Sequence, residues 1–407
     1  MNFLVRRVAV WVFLPFAAAY FLAALLRAVT ATLAPTLAEA FGLGAADLGL
    51  LSGGYFLGFA LTQLPLGHWL DRHGPRHVLL AFLGVAVLGC GVFALATGFG
   101  ALLAGRLLFG AGVSACLMAP LTGYRRWFGP AAQLRANAWM LMTGSLGMVA
   151  STLPVQWLLP VWGWRALFWA IAALLLLAGA WIALAVPRWS TGAQASGTLP
   201  ASAPAEGYRE VWRHAYFRRL APMGFFTYGG MIAMQTLWAG PWMQRVAGYN
   251  ELQAATGLFW INVSMLCTFW GWGLLGPWMA RHAVDVNRVM AWGLPLSLCI
   301  LLAILRLGAQ AGAAAWALYC ISCTVMSLSL PAVAAAFDAR LAGRALSAFN
   351  LVVFAGVFVL QWGIGLAVDG FVAAGLDLLG AFRAALGGYL ACNLFAWLWF
   401  LRKPGQP

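Results

Sequence analysis

Charge is scarce in this sequence. Only 8% of the 407 residues are charged and 63% are hydrophobic, whereas a soluble globular chain carries roughly 25% charged residues. This composition excludes an ordinary soluble domain. Because a helix needs about 20 mainly apolar residues to cross the hydrocarbon layer, the long uncharged runs indicate a polytopic membrane protein.

Twelve apolar runs remain when the sequence is divided at its charged residues. They are too long and too continuous for the strands of a membrane barrel, so the sequence predicts an all-α polytopic membrane protein. The expected transmembrane helices cover roughly residues 9–35, 48–69, 78–98, 101–122, 136–159, 166–187, 220–243, 253–279, 289–308, 311–336, 345–368 and 384–401.

The basic residues follow the expected topology. In a soluble protein the net charge of +14 would suggest a nucleic-acid partner. Here most Lys and Arg fall in the connections on the side of the N-terminus, which is the positive-inside pattern. We therefore expect no nucleic-acid partner, a bacterial cytoplasmic (inner) membrane location, and both termini in the cytoplasm. The first apolar run continues past residue 26 without a cleavage site, so we expect a retained helix and no cleaved signal.

A segment rich in Gly, Ala, Ser, Thr and Pro at 188–207 predicts a flexible linker. It divides the chain into an N-terminal six-helix bundle (1–187), a cytoplasmic linker (188–219) and a C-terminal six-helix bundle (220–407). Apolar and basic residues occupy opposite faces of a helix over 208–220, a pattern typical of a helix at the inner membrane surface.

The segment GHWLDRHGPRHVLL follows the second predicted helix. Its Gly67, Asp71, Arg72, Gly74 and Arg76 resemble the pattern between helices 2 and 3 of the major facilitator superfamily. The resemblance implies 12 transmembrane helices in two pseudo-symmetric bundles around a central cavity. It also implies a conformational switch, in which the carboxylate meets a helix N-terminus or an arginine in only one access state.

The segment GRLLFGAGVSACLMAP resembles the helix-4 motif of the same superfamily. Gly110 and Gly112 provide the small residues through which helices pack closely. The resemblance assigns Arg106 to the conformational switch. The alternative is that Arg106, which lies near the outer end of its predicted helix, extends its guanidinium to the membrane surface.

Arg27 is the one charge near the middle of YFLAALLRAVTATLAP. An arginine at a helix centre costs about 2.5–3.5 kcal/mol, and such residues face a cavity and a partner. No Asp, Glu or His lies in the middle of any predicted helix. Backbone carbonyls, water or an arriving anion therefore remain as partners, and a guanidinium fits a carboxylate or a phosphate in a bidentate manner. The alternative is an arginine packed on carbonyls or tilted to the outer interface.

This run, with Arg27 eight residues before Pro35, resembles helix 1 of the organic phosphate and organic anion transporters of the superfamily. The resemblance implies that Arg27 binds the anionic group of the substrate. Phosphate transporters commonly carry a second arginine at the equivalent place in helix 7. Eight residues before Pro241 stands Ala233, so a monocarboxylate is favoured over a phosphate.

Other polar and aromatic side chains are candidates to complete a substrate pocket. They are Tyr20 and Thr30 in helix 1, Tyr228, Gln235 and Trp238 in helix 7, and Asn350 and Gln361 in helix 11. Each alone is compatible with hydrogen bonding between helices. Together with Arg27 they suit a polar anion.

The sequence therefore predicts a secondary active or facilitative transporter of a small organic anion, with membrane lipid and a possible coupling ion as partners. Exchange, facilitated diffusion, and proton symport through Glu39, Asp47 or the substrate itself all stay open. The alternatives are an exporter of an amphipathic or neutral compound and a membrane sensor with a transporter fold.

The sequence does not favour catalysis. No nucleophile and base, paired carboxylates, metal-ligand cluster or nucleotide-binding loop is recognisable. We expect no enzyme activity, no cofactor and no metal.

Overall fold

The computed structural model describes residues 6–187 and 204–402, which are helical almost throughout. The α-helices are α1 (Arg6–Phe41), α2 (Ala45–Ala94), α3 (Phe99–Val113), α4 (Ala115–Trp127), α5 (Pro130–Ala150), α6 (Leu153–Ala185), α7 (Pro204–Arg213), α8 (Ala215–Pro222), α9 (Gly229–Ala233), α10 (Ala239–Arg245), α11 (Glu251–Arg281), α12 (Val286–Leu307), α13 (Ala313–Cys323), α14 (Ser329–Ala335), α15 (Ala339–Ala373) and α16 (Leu378–Leu401). Short π-helical segments cover Met223–Tyr228 and Met234–Trp238, and 3₁₀ segments cover Gly308–Gln310 and Thr324–Leu328.

Glycines divide two of the long helices. Gly74 interrupts α2 at φ 74° and Gly163 interrupts α6 at φ 69°. Only glycine adopts this conformation readily. The interruption in α2 separates two stretches that are each long and apolar enough to cross a membrane, and Gly74 is the glycine of the predicted loop motif.

Ten helical stretches in the described residues are long and apolar enough to cross a membrane, and the chain is a multi-pass membrane protein. The predicted runs 136–159 and 220–243 are helical but interrupted. In the first, α5 ends at Ala150 because the hydroxyls of Ser151 and Thr152 bond to carbonyls three residues earlier. Pro154 then lies in the first turn of α6, where its missing N–H costs nothing.

The second interrupted run is built from α8, α9 and α10 with a π-helical segment in each junction. Pro241 lies in α10, directly after the segment Met234–Trp238. A proline has no N–H to donate, and its ring crowds the carbonyl four residues earlier. A widened turn before Pro241 relieves that crowding.

The contacts divide the chain into two compact units. The first comprises Met1–Leu33 and Gly54–Thr198, and the second comprises Ala34–Gly53 and Leu199–Pro407. Residues 34–53 thus group with the C-terminal part of the chain. The sequence had placed them in the N-terminal six-helix bundle, 1–187. Residues 188–203, half of the predicted linker, lie outside the described residues.

The first unit is packed by small residues and aromatic rings. Phe93, Phe109 and Phe168 form a cluster with ring centroids 4.3–5.4 Å apart. At Gly110 of α3, the backbone comes so close to α2 that an added Cβ would lie 1.8 Å from the carbonyl oxygen of Tyr55. The helix-4 motif therefore contributes to this packing through its glycine.

The second unit buries one face of the linker region. The sequence predicted a single amphipathic helix over 208–220, but α7 and α8 are separated at His214, which has an extended backbone. Val211, Phe217 and Leu220 are fully buried in the core of the second unit. The apolar face of this region therefore packs against protein, while Arg209, Arg213 and Arg218 are exposed.

We expect Gly110→Ala to destabilise the protein by roughly 1–3 kcal/mol, because the added methyl group forces α2 and α3 apart. Unfolding of the purified protein in detergent measures this loss. Gly100→Ala is the matched control in α3, since its added Cβ meets no atom within 4 Å. An equal loss in both variants would contradict the close contact at Gly110.

Tyr216 in α8 gives a pH-dependent prediction. Its hydroxyl donates to Asn287 Oδ1 at 2.8 Å, and burial raises the pKa of the phenol to about 12. An unfolded chain releases the same proton near pH 10. The contribution of this group to stability is therefore complete below pH 10 and is lost as the pH rises through 12.

The measurement is a tyrosinate absorbance titration of the wild type and of Tyr216→Phe. Their difference should show one phenol that titrates near pH 12. A difference centred near pH 10 would show that Tyr216 is not shielded from water.

Candidate functional site

Arg27 lies in α1 within a cluster of aromatic side chains of the first unit. Its guanidinium interacts with the phenols of Tyr20 and Tyr55 and lies 5.9 Å from the ring centroid of Phe59. Tyr20 and Tyr55 are buried, whereas Arg27 is partly exposed. The structure therefore brings the predicted pair of Tyr20 and Arg27 together and adds Tyr55.

The charge of Arg27 is not neutralised by any described side chain. No described carboxylate forms an ion pair with it, and its buried Nε has no hydrogen-bond partner among the described residues. Cys116 of α4 is another neighbour of the guanidinium. The cluster thus offers a cation, two phenols and no counter-ion, an environment suited to an anion.

Arg106 lies next to this cluster and is fully buried. Its Nη1 donates to the carbonyl oxygen of Leu26 at 3.0 Å, and its guanidinium lies 5.5 Å from the ring centroid of Tyr55. The side chain therefore does not extend to the membrane surface. Arg106 instead holds the backbone of α1 at Leu26, the residue before Arg27. It also adds a second positive charge beside Tyr55.

Thr30 is buried in α1, about one turn beyond Arg27. A different threonine connects α1 to its neighbours, since the hydroxyl of Thr32 donates to the carbonyl oxygen of Ser151 at 2.8 Å. Both threonines lie in an apolar run, and the sequence alone does not distinguish their roles. The carbonyl oxygen that accepts from Thr32 belongs to Ser151, which lies at the break between α5 and α6.

The predicted polar residues of the second unit form two buried amide contacts. Gln235 donates to Asn262 Oδ1 at 2.8 Å, and Gln361 donates to Thr236 Oγ1 at 2.9 Å. The Oε1 atom of Gln361 is buried and has no hydrogen-bond partner among the described residues. Polar atoms of this kind are costly to bury without a partner and are therefore candidates for ligand contacts.

The three candidates of predicted helix 7 all lie in its π-helical segments. Tyr228 ends Met223–Tyr228, and Gln235 and Trp238 lie in Met234–Trp238. Trp238 is buried, its ring is 6.1 Å from that of Phe382, and its Nε1 has no hydrogen-bond partner among the described residues. Interruptions of this type are frequent at functional sites. Asn350 is half-buried in α15.

Sequence reasoning missed a hydroxyl pair in the second unit. The phenols of Tyr319 and Tyr389 are 2.7 Å apart and buried. The hydroxyl of Tyr389 reaches Gly230, where an added Cβ would lie 2.0 Å from it. The sequence offered one signal for such a close contact, the two consecutive glycines at 229–230.

The residues of the predicted conformational switch lie at the junction inside α2. Gly67 and Arg72 are exposed, and Arg76 donates to the carbonyl oxygen of Val186 at 3.3 Å. The side chain of Asp71 lies outside the described residues. The switching role of this motif stays a prediction.

The second unit also contains an open cavity of about 500 Å³. It is lined by residues of α1 and α10 and by the start of α2, including Pro35, Glu39, Pro241 and Arg245. None of the predicted substrate-binding residues lines it.

A polytopic bundle of interrupted helices, with an uncompensated arginine among phenols, has the organisation of a membrane transporter. The sequence profile of the Major Facilitator Superfamily matches residues 16–361. The chain belongs to this superfamily, as its two motifs predicted. Members of this superfamily are membrane transporters, and the predicted all-α fold is confirmed.

Two relatives match parts of the sequence. An uncharacterized MFS-type transporter of Mycobacterium tuberculosis is 36% identical over 106 residues, which cover 25% of this chain and 17% of the relative. A protein named probable anion transporter 4, chloroplastic, of Oryza sativa subsp. japonica is 26% identical over 269 residues, which cover 64% of this chain and 39% of the relative. The chain thus matches less than half the length of either relative.

Solved structures share the fold over nearly the whole chain. A bacterial homologue of the human lysosomal transporter Spinster, in an inward-facing and unoccupied conformation, has a TM-score of 0.73 and 18% identity and covers 97% of both chains. A D-xylose–proton symporter has a TM-score of 0.75 and 13% identity over 96% of this chain and 97% of the symporter.

We expect Thr32→Val to lower the stability of the purified protein by about 1 kcal/mol, because it removes a hydrogen bond between helices. Thr30→Val, two residues earlier, is the matched control, with the same change in the same helix. Thermal unfolding in detergent compares the two. A larger loss for Thr30→Val would contradict the assignment of the contact to Thr32.

Proposed function

We propose that this transporter moves a small organic anion, in particular a monocarboxylate, by alternating access. The observation that carries the proposal is Arg27, a partly exposed cation without a carboxylate partner among the described residues. A substrate carboxylate can accept two parallel hydrogen bonds from a guanidinium, and the phenols of Tyr20 and Tyr55 offer further donors.

The two arginines have different roles in this proposal. Arg106 is fully buried and donates to Leu26, so it raises the positive potential at the site without contacting the substrate. Arg27 is the residue that meets the anion. One accessible guanidinium favours a single carboxylate over a more highly charged phosphate.

The relative from Oryza sativa that is named a probable anion transporter supports the same class of substrate. Gln235 and Gln361 are proposed as additional substrate contacts, since both are buried amides in or beside a π-helical segment. Tyr228, Trp238 and Asn350 stay candidates, as does Thr30. Exchange, facilitated diffusion and proton symport are all compatible with this proposal.

The test is uptake of labelled monocarboxylates, dicarboxylates and phosphate esters into proteoliposomes that contain the full chain. We expect saturable uptake of a monocarboxylate. Arg27→Ala should weaken binding of that substrate about 10- to 100-fold, because a charge-assisted contact is lost.

A matched pair of conservative variants tests the bidentate geometry. Arg27→Lys should also be impaired, since lysine does not present two parallel donors. Arg7→Lys changes an exposed arginine in the same helix and should leave transport unchanged. Unaltered affinity in Arg27→Ala would exclude the binding role.

Two other outcomes would select the alternatives. Flux of amphipathic or neutral compounds with no response to anions would favour an exporter. Anion binding, measured by thermal shift, without flux in proteoliposomes would favour a sensor.

A further inference from the structure

We propose that the end of α16 and the neighbouring α8 form a binding site for an anionic phospholipid, in which Arg218 and Arg402 meet the lipid phosphate. Both arginines are exposed. Neither forms an ion pair with a carboxylate of the described residues. An anionic lipid supplies the negative charge that these two side chains lack, and it supplies it at the membrane surface.

Trp399 connects the two arginines. Its indole N–H donates to the backbone carbonyl oxygen of Arg218 at 3.2 Å. The guanidinium of Arg402 lies 5.2 Å from the centroid of the Trp399 ring, a cation–π contact. Residues from distant parts of the chain thus meet at one indole, in the last turn of α16.

The neighbouring Arg219 holds α8 to α16. Its Nε donates to the carbonyl oxygen of Phe400, and its guanidinium lies 4.5 Å from the centroid of the Phe400 ring. The last carbonyls of a helix have no partner within the helix and carry the negative end of its dipole. Arg219 therefore satisfies the end of α16, whereas Arg218 and Arg402 remain for a partner from outside the protein.

The two helices offer no carboxylate to these arginines. Neither α8 nor α16 contains an acidic residue. Asp285 acts on Tyr216 of α8, but this carboxylate already pairs with Arg288 at 3.6 Å. The positive charge at the end of α16 is therefore not neutralised from within either helix.

An apolar stripe on α16 leads to the charged end of the site. Its four side chains are 42–53% exposed and follow the spacing of one helix face. They are Leu394, Phe395, Leu398 and Leu401. The ring of Phe395 lies 6.1 Å from that of Trp399, and Arg402 follows Leu398 by four residues. A soluble phosphate would use only the arginines, whereas a phospholipid also covers the stripe with its acyl chains.

The predicted topology agrees with a lipid partner. It places the end of α16 at the cytoplasmic surface, where anionic lipids create a negative potential that attracts Arg and Lys. Tryptophan is enriched at the level of the lipid headgroups, which is the depth expected for Trp399. The inference does not depend on the nature of the transported substrate.

The test is native mass spectrometry of the full chain in detergent, titrated with phosphatidylglycerol. Arg218→Gln and Arg402→Gln should each weaken binding about 5-fold, and the double variant about 30-fold, because each removes one charge at the membrane surface. Arg209→Gln is the matched control. It removes an exposed arginine from α7, which packs against α15, and should leave the affinity unchanged.

Two further ligands separate a lipid from a soluble anion. Phosphatidylcholine with the same acyl chains carries no net charge, so the wild type should bind it several times more weakly than phosphatidylglycerol. Glycerophosphoglycerol has the same headgroup as phosphatidylglycerol without acyl chains, and it should not displace the lipid. Because both arginines are exposed, the variants should unfold at the temperature of the wild type when no lipid is added.

Three outcomes would overturn the proposal. The first is equal binding of phosphatidylglycerol and phosphatidylcholine by the wild type. The second is an equal loss of affinity in Arg209→Gln and in the double variant, which would show a general effect of net charge. The third is displacement of the lipid by glycerophosphoglycerol, which would show a site for a soluble anion. No measurement uses a transported substrate, so the result stands if the monocarboxylate proposal fails.

Discussion

The positive charge of Arg27 is the constraint on which the organisation of the first unit depends. A guanidinium inside a membrane-crossing helix is tolerated only when its surroundings satisfy or hydrate it. Here the surroundings are phenols, an aromatic ring and a neighbouring arginine that is itself held by the backbone of α1. Close packing of α2 against α3 at Gly110 brings Tyr55 into this position. The fold thus holds a cation in place without a carboxylate of its own.

The sequence predicted the fold class and superfamily well because both depend on local signals. Apolar length defines a membrane-crossing helix, and the motif with Gly74 marks a junction that the structure shows at a positive φ. The break at Thr152 was also readable in principle, since two hydroxyl residues precede Pro154. The effect of this break on the boundaries of predicted helix 5 was not readable from the sequence, because a kinked helix and two separate helices share the same composition.

The site was less predictable because it depends on partners from distant parts of the chain. Tyr20 and Arg27 share a helix face, and their proximity follows from periodicity. The contacts of Arg106 with Leu26 and of Gln361 with Thr236 join segments that no local pattern relates. Asp369 shows the same limit. It accepts a hydrogen bond from the N–H of Ala45, and an acidic residue near a helix end carries no sequence signal for so distant a partner.

The π-helical segment Met234–Trp238 changes how positions in helix 7 are to be counted. A π-helical turn contains one residue more than an α-helical turn, so residues before it are displaced by one position and rotated by about 100°. Helix α1 is regular between Arg27 and Pro35, whereas the same interval before Pro241 contains this extra residue. In the predicted repeat, the count of turns therefore pairs Arg27 with Ile232 and not with Ala233. Ile232 and Ala233 are both uncharged. Helix 1 therefore carries a charge at this position and helix 7 does not, whichever of the two residues is taken as the counterpart.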